Sequence, residues 1–280
     1  AGAGVTGGAS GASAGAAGEP VGGVGGAAGA EPPPCAPDLG PLEECRGQQR
    51  APRGVSMPIG FRMDATEVTR AQYAAWLASE PSPSAQDPAC SGNDSFAPGE
   101  TCLADPRVCS GTDCDRHPQV CVDWCDAMAF CQAGGRHLCA NPEGGSVPFD
   151  RYADTFLDQF YYVCSADAKQ DYVYGIAYDS QACNVNERTG TGCLADCVTV
   201  EVGSLEQCQG LQAPAFPGAY DLIGNVAEWE DCCESDAVTA LCRARGGDMA
   251  ATEQTGACDG SITLARDEVS PTVGFRCCSD

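Results

Sequence analysis

The chain has 280 residues with 39 acidic and 15 basic side chains, which gives a net charge of −24 at pH 7. A field of this sign repels phosphate backbones and anionic lipids, so nucleic-acid and membrane-surface binding are disfavoured. No apolar run reaches the roughly 18 residues that a membrane-spanning helix needs, so no membrane span is expected.

The 21 cysteines indicate either an oxidising compartment or bound metal. The paired Cys-x-x-Cys knuckles of structural zinc sites are absent, and the only histidines are His117 and His137. Disulfides are therefore favoured, and the odd count leaves at least one cysteine as a free thiol or an intermolecular link. Because no signal peptide is present, we expect the mature form of an exported protein, extracellular or at the cell surface. The disulfide candidates are Cys121, Cys125, Cys131, Cys139, Cys164, Cys232, Cys233, Cys277 and Cys278.

Residues 1–34 form a low-complexity arm in which alanine and glycine supply 22 of the 34 residues. Such a segment buries too little apolar surface to offset its ordering entropy, which predicts a flexible linker. The alternative is a self-association arm, since small side chains allow close packing. Residues 35–280 are rich in glycine, proline and cysteine. They predict one loop-rich α+β domain held together by multiple disulfides.

The first regular elements of this domain follow each other closely. Residues 61–65 alternate between apolar and polar and predict a strand. Thr69 and Gln72 form a capping box, which predicts a helix start. Tyr73 and Trp76, with the neighbouring leucine, fall on one face of that helix, and Pro81 should end it.

A cysteine-rich insertion spans about residues 85–116 and carries Cys90, Cys102, Cys109 and Cys114. It is either a recognition surface or decoration of the domain, because loops on rigid scaffolds often carry function. Asn93, followed by Asp94 and Ser95, matches an N-glycosylation sequon, which is a weak pattern.

A second helix should begin at Asp123, with Asp126 close to its positive end. Its inner stripe consists of Trp124, Ala127, Met128 and Cys131. The paired glycines at 134–135 should stop it. Residues 172–178 are apolar and rich in β-formers, which fits a core strand or a turn.

Four segments in this order resemble the formylglycine-generating enzyme family, also called the sulfatase-modifying-factor domain. They are residues 61–77, 117–138, 218–229 and 274–276, and the third contains the characteristic Gly-Asn-Val-Ala-Glu-Trp. The resemblance implies a compact, loop-rich α+β fold with a C-type-lectin-like core. It also implies structural calcium, held by Asn225 and Glu228 at one site and by Asn184 and Asp196 at a second, since calcium prefers oxygen ligands.

Active members of this family oxidise a substrate cysteine to formylglycine with copper held by two cysteine thiolates. Counting back from Ala265 and Arg266, Cys258 falls on the second copper cysteine and Glu253 on the first. A carboxylate cannot replace a thiolate as a Cu(I) ligand, so copper is not expected. Cys258 is then the only catalytic candidate that the family pattern provides.

Other chemistries find less support in the sequence. A three-histidine iron site needs one histidine more than the chain has, and the Gly-x-Ser-x-Gly elbow of a hydrolase is absent. We therefore expect an exported, non-catalytic module for extracellular binding or assembly, either a surface protein or a subunit of an extracellular polymer. Its ligand would be a glycan or a protein, and self-association would use residues 1–34 or an unpaired cysteine. The alternative is a divergent copper-dependent oxidase that generates formylglycine from a substrate cysteine.

Overall fold

The computed structural model describes residues 1, 35, 38–110, 113–188, 198–211 and 213–280. Within these ranges the chain forms ten short strands, four α-helices and three single-turn 3-10 helices, joined by long irregular segments. The α-helices are α1 (Arg70–Leu77), α2 (Glu100–Leu103), α3 (Trp124–Ala133) and α4 (Gln159–Cys164). The fold is α+β and loop-rich, as the sequence predicts.

The strands build three small sheets. Strands β1 (Glu43–Arg46) and β2 (Gln49–Pro52) form an antiparallel hairpin. The second sheet is antiparallel and has the order β3-β4-β10-β5, from β3 (Gly54–Ser56), β4 (Arg62–Asp64), β10 (Cys277–Ser279) and β5 (His137–Leu138). The third has the order β8-β7-β6-β9, from β8 (Ser261–Ala265), β7 (Leu241–Arg245), β6 (Ala227–Cys233) and β9 (Val273–Phe275). Its β6–β9 pair is parallel, and β9, from near the C-terminus, is the edge strand beside β6.

The capping box predicted for α1 is present, and the structure shows a second one at α3, where only the helix start was predicted. Thr69 and Gln72 satisfy each other's backbone N–H groups at the start of α1, and Asp123 and Asp126 do the same for α3. Helix α1 ends at Leu77, four residues before Pro81, and the Ala78 N–H donates to the carbonyls of Ala74 and Trp76 at this end. The predicted inner stripe of α3 is fully buried.

An aromatic cluster joins these two helices to the third sheet. The ring of Phe130 on α3 lies 5.7 Å from Tyr73 and 5.4 Å from Phe275 of β9, measured between centroids. Trp76 packs edge-on against both Tyr73 and Phe130. Aromatic stripes at helical spacing therefore form core, as the sequence pattern indicates.

Residues 172–178 form a turn, and the alternative of a core strand is wrong. Tyr172 and Gly175 exchange backbone hydrogen bonds of 2.9 and 3.0 Å, which closes the chain tightly on itself. Tyr172 and Val173 face the core, whereas Ile176 is 70% exposed. Gly175 breaks the extended run that the β-forming residues favour.

The described part of the chain contains nine disulfides. They are Cys35–Cys45, Cys90–Cys125, Cys102–Cys121, Cys109–Cys114, Cys131–Cys277, Cys139–Cys278, Cys164–Cys258, Cys183–Cys208 and Cys233–Cys242. Two of them tie the vicinal pair on β10 to α3 and to the residue after β5. Cys193 and Cys197 lie outside the described residues.

The disulfide candidate Cys232 is a free, buried thiol in the structure. Its neighbour Cys233 faces Cys242 across the β6–β7 ladder, and adjacent side chains of a strand point to opposite faces. Burial, reinforced by the charges of Glu230 and Asp158, raises the pKa of the Cys232 thiol. A thiol in this position is protonated and shielded, so as placed it is not available for a link to another molecule.

No helix among the described residues has the length and apolarity that crossing a bilayer requires.

Candidate functional site

The family-matched cysteine lies in the loop between β7 and β8, residues 246–260. Cys258 is 1% exposed, and its sulfur is bonded to that of Cys164 at the C-terminal end of α4. Its backbone N–H donates to the carbonyl of Asp171 at 2.8 Å. Both the side chain and the backbone of Cys258 are therefore used to hold the loop against the core.

Glu253, at the position of the other copper cysteine, lies in the same loop and is exposed. Its backbone carbonyl accepts a hydrogen bond of 3.0 Å from the Tyr172 hydroxyl. Cu(I) selects soft thiolate ligands, and this loop offers a disulfide sulfur and a carboxylate in their place. The residues present do not fit a copper site.

A buried arginine binds the backbone of this loop. Arg245, at the end of β7, donates to the carbonyls of Cys258 at 2.7 Å and of Gly260 at 3.1 Å. The same guanidinium pairs with the Asp158 carboxylate at 2.7 Å and lies 3.5 Å from Glu230. Burial and the neighbouring Asp158 charge raise the pKa of Glu230 well above its usual range. The cluster is thus one fully buried arginine shared by two carboxyl groups, which serves to anchor the loop.

A groove of about 310 Å³ runs between the loop and β8. Its lining includes Gly247, Asp248, Gln254, Thr255, Ser261 and Ile262. Asp248 accepts from the Ala250 N–H, and the Ser261 hydroxyl accepts from Arg243. The described lining contains no histidine or cysteine, so a thiolate nucleophile and an imidazole base are both absent from it.

The two histidines lie apart from this groove, in separate elements. Nδ1 of His117 is 2.8 Å from the Thr199 hydroxyl, and burial lowers the pKa of His117. Nδ1 of His137 is 2.7 Å from the carbonyl of Leu138. Each histidine is thus satisfied by its local surroundings.

The predicted first calcium pair is engaged in other interactions. Both carboxylate oxygens of Glu228 contact the Arg276 guanidinium, at 2.5 and 2.6 Å. The Asn225 side-chain oxygen accepts from Asn184 Nδ2 at 3.1 Å and from the Val200 N–H at 2.8 Å. As placed, these two side chains do not fit a calcium site, because the available charge of Glu228 is already balanced by an arginine.

The second predicted site falls partly outside the described chain. Asn184 lies beside Asn225, but Asp196 is not among the described residues, so calcium at this site stays a prediction. Within the described ranges no three acidic, histidine or cysteine side chains converge in a way that could hold a metal ion.

A buried acidic cluster around Arg276 was missed at the level of sequence. Glu67 accepts from Asn225 Nδ2 at 2.8 Å, and Asp221 accepts from the Gly203 N–H at 2.6 Å. Burial raises the pKa of Asp221 to about 6 and that of Glu67 well above its usual range. The signal was present, since each of these charged residues sits inside an apolar, family-like motif, where a charge is expected to be paired.

The cysteine-rich insertion is fastened to the domain at several points. Cys90–Cys125 and Cys102–Cys121 tie it to α3 and to the segment before it. The sequon residue Asn93 is half-buried, and its Nδ2 donates to Asp126 at 2.8 Å and to Gln86 at 3.2 Å. Glycosylation would require this nitrogen to leave both partners, which opposes modification of the folded chain.

The comparisons with known proteins agree with this architecture. The family model of the sulfatase-modifying factor enzyme 1-like domain matches residues 37–280. CarF has a similar fold, with a TM-score of 0.52 and 19% identity over 78% of this chain and 86% of CarF. PvdO from Pseudomonas aeruginosa is similar with a TM-score of 0.51 and 19% identity, over 79% of this chain and 80% of PvdO. At such identities the likeness concerns the fold alone, and a comparison with curated proteins finds no significant match.

Proposed function

Since the chain belongs to the sulfatase-modifying factor enzyme 1-like family, yet does not carry that family's copper dithiol, we propose that it is a non-catalytic, exported module of this fold. Its role is binding or assembly outside the reducing cytosol. The observation that carries the proposal is the Cys164–Cys258 disulfide, which occupies the only family-matched cysteine. The exposed carboxylate of Glu253 at the position of the first copper cysteine supports it.

Export is supported by the density of disulfides in the described chain. Several of them join distant parts of the sequence, such as Cys131–Cys277 with a separation of 146 residues. A domain that depends on such bridges is stable in an oxidising compartment and is compromised where thiols are kept reduced. Fractionation of producing cells tests this point: oxidised protein is expected in the medium or at the surface, and reduced cytosolic protein would contradict it.

Self-association through residues 1–34 belongs to the same proposal, but residues 2–34 lie outside the described structure. Sedimentation of the full chain and of a chain beginning at Cys35 compares their masses in solution with and without the arm. If the arm mediates assembly, only the full chain forms larger species, and equal masses would remove the arm from the proposal.

The catalytic test uses the protein purified without reductant, supplied with Cu(I), oxygen and a peptide carrying a sulfatase-type cysteine motif. Mass spectrometry is expected to return the peptide unchanged, whereas an active family member converts its cysteine to formylglycine. Formylglycine made by this protein would establish the alternative, a divergent oxidase. A Glu253→Cys/Cys164→Ala variant is a matched control, because it frees Cys258 and supplies a second thiol for Cu(I) competition titration.

A further inference from the structure

Three tyrosine rings gather at the turn that supports the 246–260 loop. Tyr172 stacks on Tyr174 with centroids 5.6 Å apart and an interplanar angle of 6°, and it contacts Tyr178 at 5.5 Å. Tyr172 is buried, whereas Tyr174 and Tyr178 are only partly covered. Ile176, at the tip of the same turn, is 70% exposed. An apolar, aromatic patch therefore reaches solvent here.

Carboxylates from several segments of the chain lie close enough for their charges to act on these rings. The charges of Asp171, Glu253 and Asp259 act on Tyr172, that of Asp179 on Tyr174, and that of Glu187 on Tyr178. All five are exposed. In the part of the chain that the structure covers, none of them is in an ion pair. We call the three tyrosines, Ile176 and these five carboxylates the acidic tyrosine surface.

The basic side chains nearest in sequence are engaged elsewhere. Lys169 pairs with Asp167 at 3.0 Å, and Arg188 donates to the carbonyl of Gln181 at 2.8 Å. Within the described ranges, neither Lys169 nor Arg188 forms an ion pair with the carboxylates of this surface. Burial raises the pKa of Tyr174 to about 12, so its hydroxyl is neutral at pH 7.

The geometry points to a basic polypeptide segment of a partner protein as the ligand of the acidic tyrosine surface. Arginine is the side chain that combines the needed properties, because its planar guanidinium stacks on aromatic faces and ion-pairs with carboxylates. Ile176 would contact the aliphatic stems of such side chains. This inference rests on the binding function proposed above and names the chemistry of its partner.

Other occupants fit less well. A second copy of this chain carries a net charge of −24, so two such surfaces would repel each other. A neutral glycan can stack on tyrosine, but it makes no use of five exposed carboxylates. Charge complementarity therefore favours a cationic chain over both.

The test measures binding of three fluorescent peptides of equal length by anisotropy: an arginine-glycine repeat, the matching lysine-glycine repeat and a glutamine-glycine repeat. The full-length protein should bind the arginine peptide most tightly, the lysine peptide less tightly and the glutamine peptide not at all. Binding should weaken as salt rises, because exposed ion pairs are screened.

Variants then locate the site. Asp179→Asn/Glu187→Gln should weaken arginine-peptide binding about fivefold, while the control Glu234→Gln/Asp236→Asn removes two exposed charges elsewhere and should leave it unchanged. Tyr174→Leu should weaken binding about threefold, and Tyr174→Phe, which keeps the ring, should not. Circular dichroism of each variant verifies the fold.

The inference is overturned if no peptide binds, if the glutamine peptide binds equally well, or if both double variants weaken binding alike. Salt-independent binding of a neutral glycan, or self-association lost in Asp179→Asn/Glu187→Gln, would also overturn it in favour of another occupant. Formylglycine formation, measured on the same preparation, reports separately on the proposed function, so failure of one is distinguishable from failure of the other.

Discussion

Cys258 stands where the family places a copper-binding cysteine, and its sulfur is bonded to Cys164 across 94 residues of sequence. The backbone of Cys258 is held as well, by Arg245 at 2.7 Å and by Asp171 at 2.8 Å. Cys258 thus anchors the 246–260 loop through both its side chain and its backbone. As placed, its sulfur is a disulfide sulfur and not a free thiolate.

Removal of this anchor should be costly. In Cys164→Ala/Cys258→Ala we expect the free energy of unfolding to fall by about 4–5 kcal/mol, because the bridge closes a long loop in the unfolded chain. Cys109→Ala/Cys114→Ala is the control, since that bridge spans 5 residues and should be worth about 2 kcal/mol. Guanidinium unfolding without reductant measures both. Equal losses would speak against a loop-closure origin.

The Glu228–Arg276 pair should be among the most sensitive contacts in the domain. Both side chains are 1% exposed, so Glu228→Gln leaves the Arg276 charge buried without its main partner. We expect a loss of about 3–5 kcal/mol in the free energy of unfolding. Lys169→Gln, in the exposed pair with Asp167, should change it by less than about 1 kcal/mol. A small effect of Glu228→Gln in urea unfolding would mean that its carboxylate does not hold Arg276.

The buried Asp221 should make stability depend on pH between about 4 and 6. Burial raises its pKa to about 6 in the folded protein, above the usual value of about 3.9. The folded state then holds the proton more tightly than the unfolded chain, so this stabilisation is complete at low pH. It is lost as pH rises through the folded pKa.

Asp221→Asn, which keeps an oxygen for the Gly203 N–H and tolerates the left-handed backbone at φ 56°, should lack this decline. Urea unfolding from pH 4 to 7 is expected to show the wild type losing about 2–3 kcal/mol relative to the variant. Parallel stability curves for the two proteins would contradict the assignment.

The Cys232 thiol should be unreactive towards alkylating reagents in the native protein. It is fully buried, and burial raises its pKa, so little thiolate is available to react. Iodoacetamide should label Cys232 only after denaturation, as mass spectrometry of the digested protein would show. Rapid labelling of Cys232 under native conditions would indicate that this end of β6 opens to solvent.

Local patterns in the sequence predicted local structure well. The capping box at Thr69 and the helix start at Asp123 depend on residues close together in sequence, and both form as expected. The α+β class followed from composition and the family motifs. The turn at residues 172–178 was ambiguous because β-forming side chains and Gly175 favour different backbones.

Long-range pairings were beyond the reach of sequence. Nothing near Cys258 indicates that its partner is Cys164, and nothing near Glu228 indicates that Arg276 will occupy its carboxylate. The family pattern predicted Asn225 and Glu228 as calcium ligands. A sequence motif gives residue types, but it does not give the contacts that those residues make in the folded chain. Buried charges inside apolar motifs, such as Glu67 and Asp221, are the signal that would have pointed to the network around Arg276.

The proposed function depends on whether Cys258 is a disulfide or a free thiol, and disulfide mapping distinguishes the two directly. The native protein, alkylated without reductant and digested, should yield a peptide in which Cys258 is linked to Cys164. Reduction should separate the two halves by mass spectrometry. Recovery of alkylated Cys258 as a free thiol from the native protein would contradict the account, because a copper ligand would then be available in the loop.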